Sequence, residues 1–405
     1  MKRVAFVSHH RVFPATSGNR QRILALTRAV RALGHEVTFF FITENAEKDG
    51  FDEKLLQEHQ AEFGPDRFVL IDYPRSKLRK YAGRLLSFWK TKKFKLLFNL
   101  KGAHHSEIDG GYFGYYSEGI SNHVGDTRFD VVFAEYIFTS LAFGAFNPEA
   151  VKVLDTHDSF ADRHLAFMHL PDPVASYWIS VAPEEEVRAF RRADVVVAIQ
   201  EREAEDFRAR IGSGSPDVVT VSHIATLPER VANYDSADAV FIGANTKANA
   251  VSLSWFIEQV LPHIRAEAPD FRLHVVGSIC LSVQDQPGLV RHDVIDDWSE
   301  AYRLGSITIN PTLLGTGINI KLLDAMAVGS PTVATRFGSR GLPQRFHKGI
   351  ITTEPDDPMA FARAVLTLIN DRQLRESEGR RAREAALEWN QEQMTSLARI
   401  LEWKA

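Results

Sequence analysis

Short apolar runs alternate with longer amphipathic stretches along most of the chain. Residues 3–8 (Arg-Val-Ala-Phe-Val-Ser) read as a buried strand, since a continuous apolar run suits a strand covered on both faces. A loop with Pro14 and Gly18 follows, then an amphipathic helix from Asn19 to Leu33. Gly34-His35 closes that helix, and Glu36 to Phe41 is a second strand. This βαβ start predicts a parallel sheet with helices on both faces. Further strands are expected at 68–72, 131–134, 151–154 and 195–199, with helical stretches between them. A second series begins near residue 239, with strands at 239–242, 273–276, 307–310 and 332–334 and a helix at 250–266. Pro228, Asn233 and Asp235 interrupt the pattern between the two series. The tail from Asp356 to Trp403 reads as almost wholly helical. The expected fold class is α/β, with one doubly wound domain at 1–228, a second at 229–385 and a terminal helix at 386–405.

Length agrees with this division, because 405 residues exceed one ordinary core. The net charge of −4 argues against a general nucleic-acid binder. With one cysteine, Cys280, no intrachain disulfide is possible, and a reducing cytoplasm is the expected compartment. The apolar run at the N-terminus is too short for a signal peptide, and no run approaches the roughly 18 apolar residues of a membrane span.

The chemistry concentrates in Gly315-Thr316-Gly317-Ile318-Asn319-Ile320-Lys321-Leu322-Leu323-Asp324-Ala325-Met326-Ala327, followed by a turn and the strand at 332–334. Glycines let backbone amides approach a ligand closely, and the helix that follows points its positive end at the same place. Lys321 adds a full cation, and Asp324 lies three residues on, on the same helix face. Together they read as a socket for a diphosphate, with a carboxylate placed to accept hydrogen bonds from a sugar ring.

In this order, the residues carry a family likeness. The chain resembles the retaining, nucleotide-sugar-dependent glycosyltransferases of the GT-B fold, group 1 (family 4) type. The likeness covers most of the chain: Gly34-His35-Glu36-Val37, Leu154-Asp155-Thr156-His157-Asp158, residues 185–194, Phe241-Ile242-Gly243, Val294-Ile295-Asp296-Asp297 and, most specifically, Pro311 through Gly341-Leu342. The resemblance implies two Rossmann-like domains facing across a cleft. The C-terminal one would hold the nucleotide sugar and the N-terminal one the acceptor, with the last helix crossing back to the first domain. It implies transfer with retention and no metal or other cofactor.

By the same likeness, Lys321 neutralises the donor diphosphate and is assigned a catalytic role. Asp324 matches the second acidic position of the family's Glu-x7-Glu motif, which binds ribose, while Thr316 falls at the first. Donor contacts are then expected from backbone around Gly315, Thr316, Gly317, Ile318 and Asn319, from Gly243 and from Gly18. The Arg/Lys pair usual after the first strand of the second domain is not evident, and Lys247 is the available candidate. His157, past a strand end, is assigned a catalytic role beside Lys321 and is expected to reach the transferred sugar or the acceptor, with Asp158, Glu135 and Tyr136 on the acceptor side.

Arg75 to Lys101 holds ten Lys or Arg and no Asp or Glu, so the remaining residues carry a formal −14. Tyr81, Leu85, Phe88, Trp89 and Phe94 lie among these cations, a mixture that suits an anionic membrane surface. The expectation is a cytoplasmic glycosyltransferase peripheral at the inner face of the plasma membrane. It would act on a saccharide or lipid-linked saccharide in surface-polysaccharide or glycolipid synthesis. A non-hydrolysing sugar-nucleotide epimerase and a non-catalytic scaffold partner are the competing readings. A dehydrogenase is disfavoured because the first βα turn lacks Gly-x-Gly-x-x-Gly.

Overall fold

The computed structural model describes residues 1–403 apart from 16, 45, 47–48, 73–105, 168–178, 230–231, 296 and 315–317. The chain divides into two compact units, Met1–Ser222 with the chain end from Met394, and His223–Gln393.

The first unit is built on a seven-stranded parallel sheet: β1 (Arg3–Ser8), β2 (Glu36–Ile42), β3 (Phe68–Ile71), β4 (Val131–Glu135), β5 (Val151–Asp155), β6 (Val195–Ala198) and β7 (Asp217–Thr220). Their order is β3-β2-β1-β4-β5-β6-β7. The central strands are apolar and fully buried, as a sheet covered on both faces requires. The helices are α1 (Gly18–Ala32), α2 (Glu53–Phe63), α3 (Gly114–Val124), α4 (Pro183–Phe190) and α5 (Glu201–Ile211). Phe6 and Phe133, on adjacent strands, stack with centroids 4.6 Å apart in the middle of the layer.

The second unit repeats the scheme with six parallel strands: β8 (Ala239–Ile242), β9 (Leu273–Val276), β10 (Leu289–His292), β11 (Ile307–Asn310), β12 (Thr332–Thr335) and β13 (Ile350–Thr353). The order is β10-β9-β8-β11-β12-β13. Its helices are α6 (Lys247–Trp255), α7 (Leu261–Glu267), α8 (Trp298–Tyr302), α9 (Ile320–Val328), α10 (Pro358–Asn370) and the 30-residue α11 (Arg372–Leu401). Each sheet reverses its winding beside its first strand, between β1 and β4 and between β8 and β11. In open sheets of this kind ligands bind at the carboxyl ends flanking that reversal.

Three strands lie outside the sequence expectation: β7, β10 and β13. All three are sheet edges or flank an edge exposure, with mostly half-buried residues in place of an apolar run. The helix expected at 250–266 begins at Lys247, passes through a π-turn at Phe256–Val260 and restarts at Leu261. Pro262, which has no N–H to donate, stands at that restart and accounts for the break. Gly18, expected in a loop, is the first residue of α1. The last residues return to β1: the Lys2 ammonium donates to the carbonyl of Leu401. Among the described residues no helix is long and apolar enough to cross a membrane.

Candidate functional site

Two groups of polar side chains sit at carboxyl ends of strands, one in each unit. In the second unit, α9 follows β11 through residues 311–319, of which 315–317, the glycines and Thr316 of the motif, lie outside the described residues. Asn319 is the N-cap of α9, and Ile318 precedes it. Lys321 lies in the first turn, where its Nζ donates to Asn249 Oδ1 at 2.7 Å and stands over the Phe241 ring at 4.9 Å. The Asn249 amide in turn donates to Ala244 O at 2.8 Å, which anchors the loop after β8 to the lysine. Gly243 stands in that loop, and an added Cβ would press on Phe241 at 3.1 Å and on Asn249 at 3.3 Å. Lys247 is the first residue of α6, capped by Thr246.

No ion pair to Lys321 occurs among the described residues. Burial and then the positive charge of Arg340 push its ammonium down to about 8. Asp324 is pushed up to about 7 by burial. Tyr302 donates its hydroxyl to the carbonyl of Lys321 at 2.9 Å, and burial, then Asp324, raise that phenol well above its usual range. Lys321 thus stands half-buried beside a second cation, and both circumstances disfavour its charged form.

In the first unit, β4 ends at Glu135 and β5 at Asp155. His157 Nε2 lies 2.5 Å from Glu135 Oε2 and 3.7 Å from Asp155 Oδ2. Arg22, from α1, forks onto Asp155 with contacts of 3.1 and 2.7 Å and donates to Val221 O at 2.8 Å. The Tyr136 ring lies on the imidazole, with His10 5.0 Å from Tyr136 on the ring-to-ring measure. Burial pushes His157 down to about 4. Glu135 is raised well above the usual carboxyl range, first by burial and then by Asp155. Both shifts favour the neutral forms of the pair. Oxygen and nitrogen atoms of Glu135, Asp155 and His157 lie within 4.8 Å of one another, a spacing compatible with metal ligation. Arg22 already supplies a positive charge to Asp155 within this set. Asp158 pairs with Arg163 at 2.9 Å and caps Ser159 N–H at 3.0 Å, which turns it toward its own loop.

The structure thus gathers His157, Glu135 and Tyr136 at one sheet end, and Lys321, Asp324, Gly243, Ile318 and Asn319 about the ends of β8 and β11. Sequence reading has Arg22 only as a cation near Gly18 and misses Asn249 and Arg340. Arg22 is one cation among several in its helix, and only the β5 end picks it out. Asn249 and Arg340 lie 72 and 19 residues from Lys321, and nothing local in the sequence connects them with it.

Residues 236–371 match the model of the family described as glycosyl transferases group 1. An uncharacterized 44.6 kDa protein in the cps region of Klebsiella pneumoniae is 26% identical over 161 residues. That match takes in 36% of this chain and 41% of the relative's length. TarM of S. aureus superposes with a TM-score of 0.68 at 10% identity, covering 100% of this chain and 99% of that one. Sucrose-phosphate synthase from Thermosynechococcus elongatus gives 0.67 at 14%, covering 99% and 98%. The pneumococcal O-GlcNAc transferase GtfA, solved with UDP and GlcNAc, gives 0.65 at 11%, covering 99% and 98%. At these identities the structural likeness speaks for the fold.

Proposed function

With residues 236–371 forming a group 1 glycosyltransferase domain and the chain sharing the GT-B fold, we propose that it moves a sugar from a nucleotide-diphosphate donor to a hydroxyl of an acceptor, with retention at the anomeric carbon. The acceptor is a saccharide or lipid-linked saccharide of a surface polysaccharide or glycolipid. The K. pneumoniae relative, placed in a cps region, supports that setting. The observation that carries the proposal is the Lys321 ammonium, partly desolvated and met by a neutral amide and an aromatic face.

In this reading the second unit holds the donor. As the glycosidic bond breaks, negative charge grows on the departing diphosphate. Lys321 and the positive end of α9 stabilise that charge more in the transition state than in the ground state. With those charges in place, no metal is needed for departure. Asp324 in its ionised form accepts hydrogen bonds from the ribose hydroxyls. In the first unit, His157 and Glu135 present neutral polar groups, which suit sugar hydroxyls better than charged ones would. The basic stretch Arg75 to Lys101, outside the described residues, holds the enzyme at an anionic membrane surface.

The test is a thermal-shift panel of UDP, GDP, dTDP, ADP and CMP on the wild-type chain and on Lys321→Ala. Stabilisation by one nucleotide, lost in the variant, is expected. No stabilisation by any of the five overturns the donor site.

A further inference from the structure

Strand β11 ends on Asn310, and its buried carboxamide joins two loops. Oδ1 accepts from Asn319 Nδ2 at 2.9 Å and from Thr312 Oγ1 at 2.6 Å. Nδ2 donates to Gly338 O at 3.1 Å. Thr335, at the end of β12, reinforces the joint: its Oγ1 donates to Thr312 O at 2.5 Å and accepts from Gly338 N–H at 2.9 Å. The approach leaves no room for a side chain at residue 338, where a Cβ would meet Asn310 O at 2.8 Å and Asn310 Nδ2 at 3.2 Å.

A cation follows each contact with Asn310 by two residues: Lys321, in the first turn of α9, after Asn319, and Arg340 after Gly338. The Arg340 guanidinium lies over the Phe337 ring at 4.4 Å and donates to Phe337 O at 3.0 Å, so its planar fork is held before any ligand arrives. The two cations are close enough to repel, since Arg340 depresses the Lys321 ammonium. Two cations so placed can both contact one polyanion. A diphosphate has two phosphoryl groups; Lys offers one point charge, while Arg offers a fork that grips phosphate oxygens in pairs. The loop after β8 reads Ala244-Asn245-Thr246-Lys247 and carries no arginine.

We propose that Arg340 is the second diphosphate-binding cation of the donor site, and that Asn310 is the positioning residue that sets it against Lys321. The proposal rests on the donor reading given above and adds the residues that grip its phosphates.

Isothermal titration of the full-length chain with UDP, GDP, dTDP, ADP and CMP tests it, using the best binder and its parent nucleoside on each variant. Arg340→Ala is expected to weaken the nucleotide about tenfold or more and leave the nucleoside unchanged. Arg340→Lys is expected to recover part of the loss. Asn310→Ala is expected to weaken the nucleotide likewise, and adding Arg340→Ala to it is expected to cost little more, since the two act through one contact. Nucleotide binding by Arg340→Ala within about twofold of wild type, with Lys321→Ala still defective, overturns the proposal and leaves the donor reading standing. Equal loss of nucleotide and noucleoside, as from a collapsed pocket, also overturns it. A wild-type chain that binds none of the five overturns both. If Asn310→Ala does not fold, the Arg340 variants decide alone.

Discussion

The rings of Tyr136 and His157 lie face to face, with centroids 4.1 Å apart and planes within 7°. Both residues have positive φ, 70° and 61°. Bulky residues seldom adopt that conformation, and a pair of them is kept only where the surroundings over-determine it. The surroundings do so here. Tyr136 N–H donates to Asp155 O at 2.8 Å, and Thr156 is tied to Val197 O through both its N–H and its hydroxyl, at 3.1 and 2.9 Å. Strand β4 and strand β5 are thus locked side by side at their carboxyl ends, with the imidazole presented between Glu135 and the tyrosine ring.

Glu135 gives this cluster a pH signature. Its carboxyl is raised in the folded chain, so folding binds a proton that the unfolded chain releases. Stability then falls as pH rises through the window above the ordinary carboxylate value. His157, lowered to about 4, acts oppositely between about 4 and 6.5, where the unfolded chain binds the extra proton. Glu135→Gln is expected to become increasingly more stable than wild type as pH rises above the ordinary carboxylate value, by up to about 1.4 kcal/mol per pH unit. Urea unfolding across pH checks this; a difference that does not change with pH contradicts it.

Arg22 and Asp155 form an ion pair whose side chains are 5% and 0% exposed. Removing one partner strands the other's charge in the core. Arg22→Met alone is expected to cost about 3–5 kcal/mol, and the double variant Arg22→Met/Asp155→Leu much less than the sum of the single changes. Chemical denaturation of the two singles and the double measures the coupling; additive losses would show that the pair is not the unit of stability.

The proposed donor reading gives a narrow pH range: Asp324 ionises to accept from ribose, at about 7, and Lys321 keeps its proton to hold phosphate, lost at about 8. The profile of kcat/KM is expected to rise through the first value and fall through the second. Lys321→Arg is expected to remove the alkaline fall, because guanidinium keeps its charge. Asp324→Asn is expected to remove the acid limb at a lower plateau. An alkaline fall that persists unchanged in Lys321→Arg assigns it to another group.

The ten cations of Arg75 to Lys101 predict adsorption to anionic vesicles. Near such a surface each contributes about 1 kcal/mol at most, and salt screens the attraction. Co-sedimentation with phosphatidylserine vesicles is expected to weaken as salt rises and to be lost when the ten are changed to Gln. Unchanged sedimentation of that variant removes the membrane role.

Much of this molecule was legible along the chain. Continuous apolar runs marked the central strands, such as Val4–Val7 and Val131–Ala134, because a strand covered on both faces needs apolar residues throughout. Their alternation with amphipathic stretches determined the two doubly wound units. The motif around Lys321 was equally plain, since loop, helix start and cation are neighbours in sequence. The edge strands β10 and β13 were not legible, because half-buried positions leave no apolar run. Only tertiary structure paired Arg22 with Asp155 across 133 residues, Lys321 with Asn249 across 72 and Asn310 with Gly338 across 28. A parallel sheet brings the ends of distant strands together, and the contacts that prepare a site for its ligand form there, between residues whose separation along the chain says nothing of their meeting.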